Sequence, residues 1–271
     1  MGRAIGILGF GTIGRQLLTS IRERTVSAST VRIFDRHPDR VESSIDPASP
    51  ANVVAVRSFD RLVDVDLVVE AAGQGAVREY AVDILRAGCD LVTLSVGALA
   101  DRTLREQVIE TAEQTGQTVF VPSGAIAGLD AITAAGNSDL ESVSLTTTKP
   151  PNGIAGAPYL DSHGIDVHEI TEPTTVFEGS ATEAAEGFPS NINVALALSL
   201  AGVGPERTTV RIVADPDGQR NVHRIAVSGA MGDIETTVRN DPSPTNPKTS
   251  YLAVLSAIEL LRDDRTVQVG T

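Results

Sequence analysis

Short apolar runs and helical apolar stripes alternate through the first half of this chain. Residues 4–8 are apolar with one glycine among them, and residues 13–24 then place Ile13, Leu17, Leu18 and Ile21 on one helical face. The exchange repeats, with strands expected at 31–34, 65–72, 91–94 and 118–121 and helices at 74–85 and 101–115. Strand and helix in strict alternation predict a doubly wound parallel sheet. Residues 36–52, charged and bearing proline and serine, read as a connection between strands.

Beyond Pro122 the rhythm changes. Residues 123–130 open a helix, 142–148 read as a threonine-rich strand, and 149–175, with prolines, glycines, His163 and His168, read as a long loop. Helices are expected at 181–188 and 193–200, and antiparallel strands at 209–214, 222–227 and 234–238. An amphipathic helix over 250–262 closes the chain and is expected to return to the first domain. The predicted division is residues 1–122 for the first domain and 123–248 for the second, with 249–271 packing back on the first.

The turn after the first strand carries the first specific chemistry. Gly9-Phe10-Gly11-Thr12-Ile13-Gly14 has the G-x-G-x-x-G spacing. Gly9 suits the tight turn, Gly11 the close approach of a pyrophosphate, and Gly14 the packing of helix on strand. The free N–H groups that open the helix, at Thr12 and Ile13, face the phosphate charge. Asp35 ends the second strand 21 residues beyond Gly14, where a carboxylate accepts hydrogen bonds from the adenosine ribose. The first domain therefore reads as a Rossmann domain, and the fold class as α/β with a second α/β (α+β) domain. Asp35 favours NAD by repelling a 2′-phosphate, while Arg36 beside it leaves NADP as the second candidate. Ligands of such sheets lie at the carboxyl ends of the strands, so Ala72, Gly73 and Ser95 are expected to border the nicotinamide half.

Composition narrows the field. A 271-residue chain that is 41% hydrophobic can bury a substantial core. No apolar run approaches the ~18 residues of a membrane span, and the chain enters a strand at once, so a cytoplasmic protein is expected. The single cysteine, Cys89, excludes an internal disulfide framework and multi-cysteine metal sites. It falls at a helix-to-strand turn and reads as a small buried residue. A net charge of −13 argues against nucleic-acid binding, and only two of the 22 basic residues are lysines, Lys149 and Lys248. Such a surface resembles proteins adapted to high salt, although drift in a GC-rich genome produces the same bias. His163 and His168 read as surface histidines rather than metal ligands, so no metal is expected.

Four polar segments of the second half exceed what core packing requires: 123–125, 178–193, 221–223 and 246–250. Within them VFEGSATEAAEGFPSNINVA, together with ADPDGQRNVH, NPKTSYLAVLSAI and SGAIAGLDA, resembles the L-aspartate dehydrogenase family, in order and over nearly the whole chain. The resemblance implies NAD(P)-dependent oxidative deamination of L-aspartate to iminoaspartate, which hydrolyses to oxaloacetate and ammonia or supplies a quinolinate-forming enzyme. It also implies a homodimer built in part on the sheet of the second domain. The family's active-site histidine falls on His223, whose imidazole, with an ordinary pKa of ~6.5, is suited to proton transfer. Cofactor contacts fall on Ala125 and on Asn191 or Asn193, with Asn193 preferred. A dicarboxylate substrate needs cations and clustered donors, for which Lys248, Asn221 and Ser123 are the candidates. Two other readings compete: an oxidoreductase of the homoserine dehydrogenase or dihydrodipicolinate reductase type, and a non-catalytic NAD(H)-binding redox sensor.

Overall fold

The computed structural model describes residues 2–244 and 246–262. The chain divides into two compact units: one runs to Pro122 and takes in the stretch from Ser256, and the other spans Ser123–Leu255. The first contains β1 (Arg3–Leu8), α1 (Thr12–Arg22), β2 (Ala28–Phe34), α2 (Pro38–Glu42), β3 (Asn52–Val56), α3 (Phe59–Leu62), β4 (Leu67–Glu70), α4 (Gln74–Arg86), β5 (Asp90–Thr93), α5 (Arg102–Thr115) and β6 (Val119–Phe120). Their strands form one sheet in the order β3-β2-β1-β4-β5-β6, every pair parallel. Ile5, Ile7, Val31, Ile33 and Val69 from the strands pack with Leu17, Leu18 and Ile21 of α1, and Ile258, Leu260 and Leu261 join this core from the far end of the sequence.

Pattern reading missed α2, β3 and α3. The β3 strand is an edge strand whose first four residues alternate between exposed and half-buried before the buried Val56, and it follows a stretch dominated by charge, serine and proline. An edge strand has neighbours on one side only and needs less apolar sequence than a central one. Helix α5 follows its local signals: Asp101 caps it by accepting from the Leu104 N–H at 3.2 Å, and Gly116 ends it at φ 70°. Cys89 is fully buried, its thiol reaching the Val63 and Val65 carbonyls at 3.1 Å. Burial raises its pKa, which keeps it an unreactive thiol.

The second unit contains α6 (Leu129–Ala135), β7 (Leu140–Lys149), α7 (Pro158–His163), β8 (Thr174–Ser180), α8 (Ala181–Gly187), α9 (Asn193–Ala201), β9 (Thr209–Ala214), β10 (Asn221–Gly229), β11 (Gly232–Asn240), β12 (Pro242–Ser243), β13 (Asn246–Ser250) and α10 (Tyr251–Leu260), which continues into the first unit from Ser256. Five strands form a mixed sheet in the order β11-β10-β7-β9-β8. Along β7 and β10 alternate side chains point to one buried face, carrying Val143, Leu145 and Thr147 beside His223, Ile225 and Val227. The other face is polar and more open, with half-buried Ser144 and Thr146 and exposed Arg211, Arg224 and Glu235 among its residues.

Several expectations are corrected here. The β9 strand is not antiparallel throughout: it runs parallel to β7 and antiparallel only to β8. A parallel neighbour needs a long crossover, and α7, β8, α8 and α9 supply it. Residues 123–128 stay irregular and the helix begins at Leu129, after Gly128 at φ 87°. The segment 149–175 is not an open loop, since it holds α7 and two 3-10 turns and buries Ile154, Leu160 and Val167. Residues 246–250 are extended, so the last helix starts at Tyr251. That helix is apolar on every side rather than amphipathic, burying Val254 and Ala257 while Tyr251 and Leu255 stay exposed.

Candidate active site

The first unit brings its predicted residues to the carboxyl ends of β1, β2, β4 and β5. Gly9 takes φ 96°, and a Cβ on it would lie 2.7 Å from Ala72. A Cβ on Gly14 would lie 2.3 Å from the Gly9 carbonyl oxygen, whereas one on Gly11 would meet nothing within 4 Å. Gly9 and Gly14 are thus required by the protein's own packing, while Gly11 faces open space at the mouth of α1, the cradle a dinucleotide pyrophosphate needs. Asp35 is held by two backbone donors, Phe10 N–H at 2.7 Å and His37 N–H at 2.8 Å, so its carboxylate is oriented before any ribose arrives. Gly14→Ala is expected to displace α1 from β1 and weaken NADH binding roughly tenfold or more, read by fluorescence titration; unchanged affinity would show that the contact relaxes at no cost.

Sequence reading missed Glu70 altogether. This carboxylate, at the end of β4, is 1% exposed. It accepts from Ala72 N–H at 2.8 Å, Gly73 N–H at 2.7 Å, Ser95 N–H at 3.0 Å, Ser95 Oγ at 3.0 Å and Thr93 Oγ1 at 3.5 Å. A buried charge is tolerable when its lone pairs are filled in this way. Glu70 thereby ties together the two turns that carry Ala72, Gly73 and Ser95. An acid ending an apolar strand was its only signal in the sequence.

The second unit builds its site on the adjoining strands β7 and β10. His223 pairs across the ladder with Thr147, whose Oγ1 lies 3.0 Å from His223 Nδ1. The hydroxyl holds the ring and leaves Nε2 as the nitrogen without a partner among the described residues. Burial, and secondarily the charge of Lys149, push His223 down to about 4. The imidazole is therefore neutral at physiological pH, rather than poised near 6.5 as an unperturbed ring would be. Lys149 lies two residues beyond Thr147 on the same face, and its ammonium donates to Asn191 Oδ1. Burial lowers its pKa to about 8.

Lys149, Asn191, Asn221 and Asn240 line one cavity of about 590 Å³ within this unit. Asn240 Nδ2 donates to the Ala125 carbonyl at 2.9 Å, while its buried Oδ1 has no partner among the described residues. Asn191 and Asn221 thus stand at the cavity, whereas Asn193 is exposed on the first turn of α9, and Ser123 and His223 lie outside the lining. The backbone of Lys248 belongs to β13 rather than to the approach of a helix, and its side chain lies outside the described residues. The cavity presents two cations, Arg220 and the buried Lys149, a lysine the sequence marked only by its rarity. His163 is on α7, stacked on Tyr159 with ring centroids 3.9 Å apart.

Comparison with known proteins bears on both units. The NAD-binding domain of homoserine dehydrogenase matches residues 9–122, and the C-terminal domain of aspartate dehydrogenase matches residues 130–264. Over 271 residues the chain is 45% identical to an L-aspartate dehydrogenase of Methanosarcina barkeri, covering 98% of this chain and 99% of the relative. It is 39% identical to that of Nitrosopumilus maritimus, covering 99% and 100%. The crystal structure of aspartate dehydrogenase from Thermotoga maritima superposes with a TM-score of 0.77 at 32% identity, over the full length of both chains. Apo scyllo-inositol dehydrogenase from Lactobacillus casei, at 15% identity and a TM-score of 0.55 over 96% of this chain, shares the fold alone.

Proposed function

Starting from a chain that belongs to the L-aspartate dehydrogenase family, we propose how its residues carry the reaction. The enzyme oxidatively deaminates L-aspartate with a nicotinamide cofactor, giving iminoaspartate, reduced cofactor and a proton; water then converts the imine to oxaloacetate and ammonia. That membership decides against the sensor and against the homoserine or dihydrodipicolinate alternatives. When bound, the cofactor supplies the hydride acceptor. The glycine turn and Asp35 bind and orient it, and the turns held by Glu70 flank its reactive half. His223 is the general base. It takes up the proton that the substrate nitrogen sheds as the carbon–nitrogen double bond forms and, once that proton has passed to solvent, accepts another from the water that adds to the imine. The buried imidazole, anchored at Nδ1 by Thr147 with Nε2 left for the substrate, is the observation that carries this assignment.

NAD is assigned as the preferred cofactor, because the Asp35 carboxylate repels a 2′-phosphate. NADH formation from L-aspartate, with L-glutamate and D-aspartate as comparison substrates, tests the reaction. Repeating it with NADP+ is expected to show at least a roughly tenfold preference for NAD+, a difference of about 1.4 kcal/mol, narrowed in Asp35→Ala. Equal use by the unaltered enzyme would hand the adenosine end to Arg36. We assign a homodimer built on the exposed face of the five-stranded sheet, checked by molar mass in solution against the 28.3 kDa chain. The acidic, lysine-poor surface supports a cytoplasm rich in salt, so activity is expected to be retained in molar KCl. Delivery of iminoaspartate to a quinolinate-forming enzyme completes the reading.

A further inference from the structure

The chain carries 35 acidic residues against 22 basic ones, yet no aspartate or glutamate is among the described residues that line the cavity of the second unit. Its polar lining consists of Lys149 and Arg220 with side-chain amides and a serine. The contrast lies close by on the same unit, where the open depression beside Tyr159 is lined by Glu178, Glu183 and Glu186. Arg220 is already paired, its Nε 2.7 Å from Asp241, and is half-exposed. Lys149 is different. Its ammonium has an amide oxygen for company and no carboxylate within ion-pairing distance among the described residues. Desolvating a cation costs stability unless an anion or a full set of acceptors compensates. One acid, Asp241, adjoins the lining but is held by Arg220; none among the described residues reaches Lys149, so its missing anion comes from outside.

Resting on the proposed deamination of L-aspartate, and placing the substrate in this cavity because Lys149 lies two residues along β7 from the Thr147 that holds His223, we propose that Lys149 binds a carboxylate of the substrate, held in place by Asn191, and that it makes the cavity selective for dicarboxylic acids. Asn191 accepts one of the three ammonium hydrogens and leaves the others to point at a ligand. Burial lowers the pKa of Lys149, a desolvation that a bound carboxylate would offset. Lys149 would also govern its neighbour: once a carboxylate neutralises the ammonium, the positive field that disfavours protonation of His223 falls away.

The test uses the full-length protein, unaltered and as Lys149→Met, Lys149→Gln and Lys149→Arg. Succinate, a dicarboxylate with no amine to oxidise, is titrated calorimetrically in the presence of NADH, alongside L-aspartate turnover. Lys149→Met and Lys149→Gln are expected to weaken succinate binding and raise KM for L-aspartate by roughly 10- to 100-fold, the range of a hydrogen bond to a charged group. NADH affinity stays unchanged, and Lys149→Arg recovers part of the loss. In the unaltered enzyme succinate affinity falls as pH rises above about 8, where Lys149 loses its proton, so the proposal can be judged even if a variant fails to fold. Succinate binding that is indifferent to the substitutions and to this pH range overturns it. Absence of L-aspartate turnover in the unaltered enzyme would instead refute the functional reading, and the succinate titration would still decide the role of Lys149.

Discussion

Replacing His223 by alanine is expected to lower L-aspartate turnover by roughly two to four orders of magnitude, the range that a positioned general acid–base group supplies, while NADH binding is retained. The separation follows from placement: His223 sits on β10 of the second unit, and the dinucleotide turn belongs to the first. The pH profile carries a second signature. Burial and the charge of Lys149 hold the ring down to about 4 in the free protein, and only the neutral ring can accept a proton. Because kcat/KM reports the free enzyme, it should rise as pH climbs through about 4 and be level by pH 6, with this limb missing from the residual activity of His223→Ala. A limb near 6.5 would mean that the imidazole is solvated in the working enzyme. Alanine-variant turnover within a few-fold of normal would remove His223 from the chemistry.

The second large effect is expected at Glu70. Glu70→Ala leaves five donors facing a hole where a carboxylate stood. Breaking such a buried charged network costs roughly 3–5 kcal/mol, or about 10 °C in thermal midpoint for a chain of this size. Cofactor affinity should fall with it, because Ala72, Gly73 and Ser95 lose the group that holds their turns together. Glu70→Gln keeps the shape but exchanges an accepting oxygen for a donating NH2, so an intermediate loss is expected. Thermal unfolding and NADH titration of both variants check this. A Glu70→Ala protein with the normal midpoint and normal NADH affinity would show that water satisfies the stranded donors.

Much of this molecule could be read along the chain because the signals are local. The apolar runs of β1, β2, β4 and β5, the helical stripe of α1 and the glycine spacing of the first turn each depend on residues a few positions apart, and the structure has a strand or helix at each. The distance from Gly14 to Asp35 is likewise set by one strand-helix-strand unit. Resemblance to a family points to His223 from the chain alone. The chain alone therefore determined the dinucleotide half, the change of texture at Pro122 and the class of chemistry. What tertiary structure decided is which distant residues meet. Glu70 is joined to Ser95 across 25 positions, Lys149 to Asn191 across 42, and Thr147 to His223 across 76. No periodicity records such pairings, since they arise from strand order and from the crossover that sets β9 parallel to β7. The same reason explains why rarity alone could not choose between Lys149 and Lys248: a lysine becomes a site through what desolvates it and which acids are kept away, and both are properties of the folded surroundings.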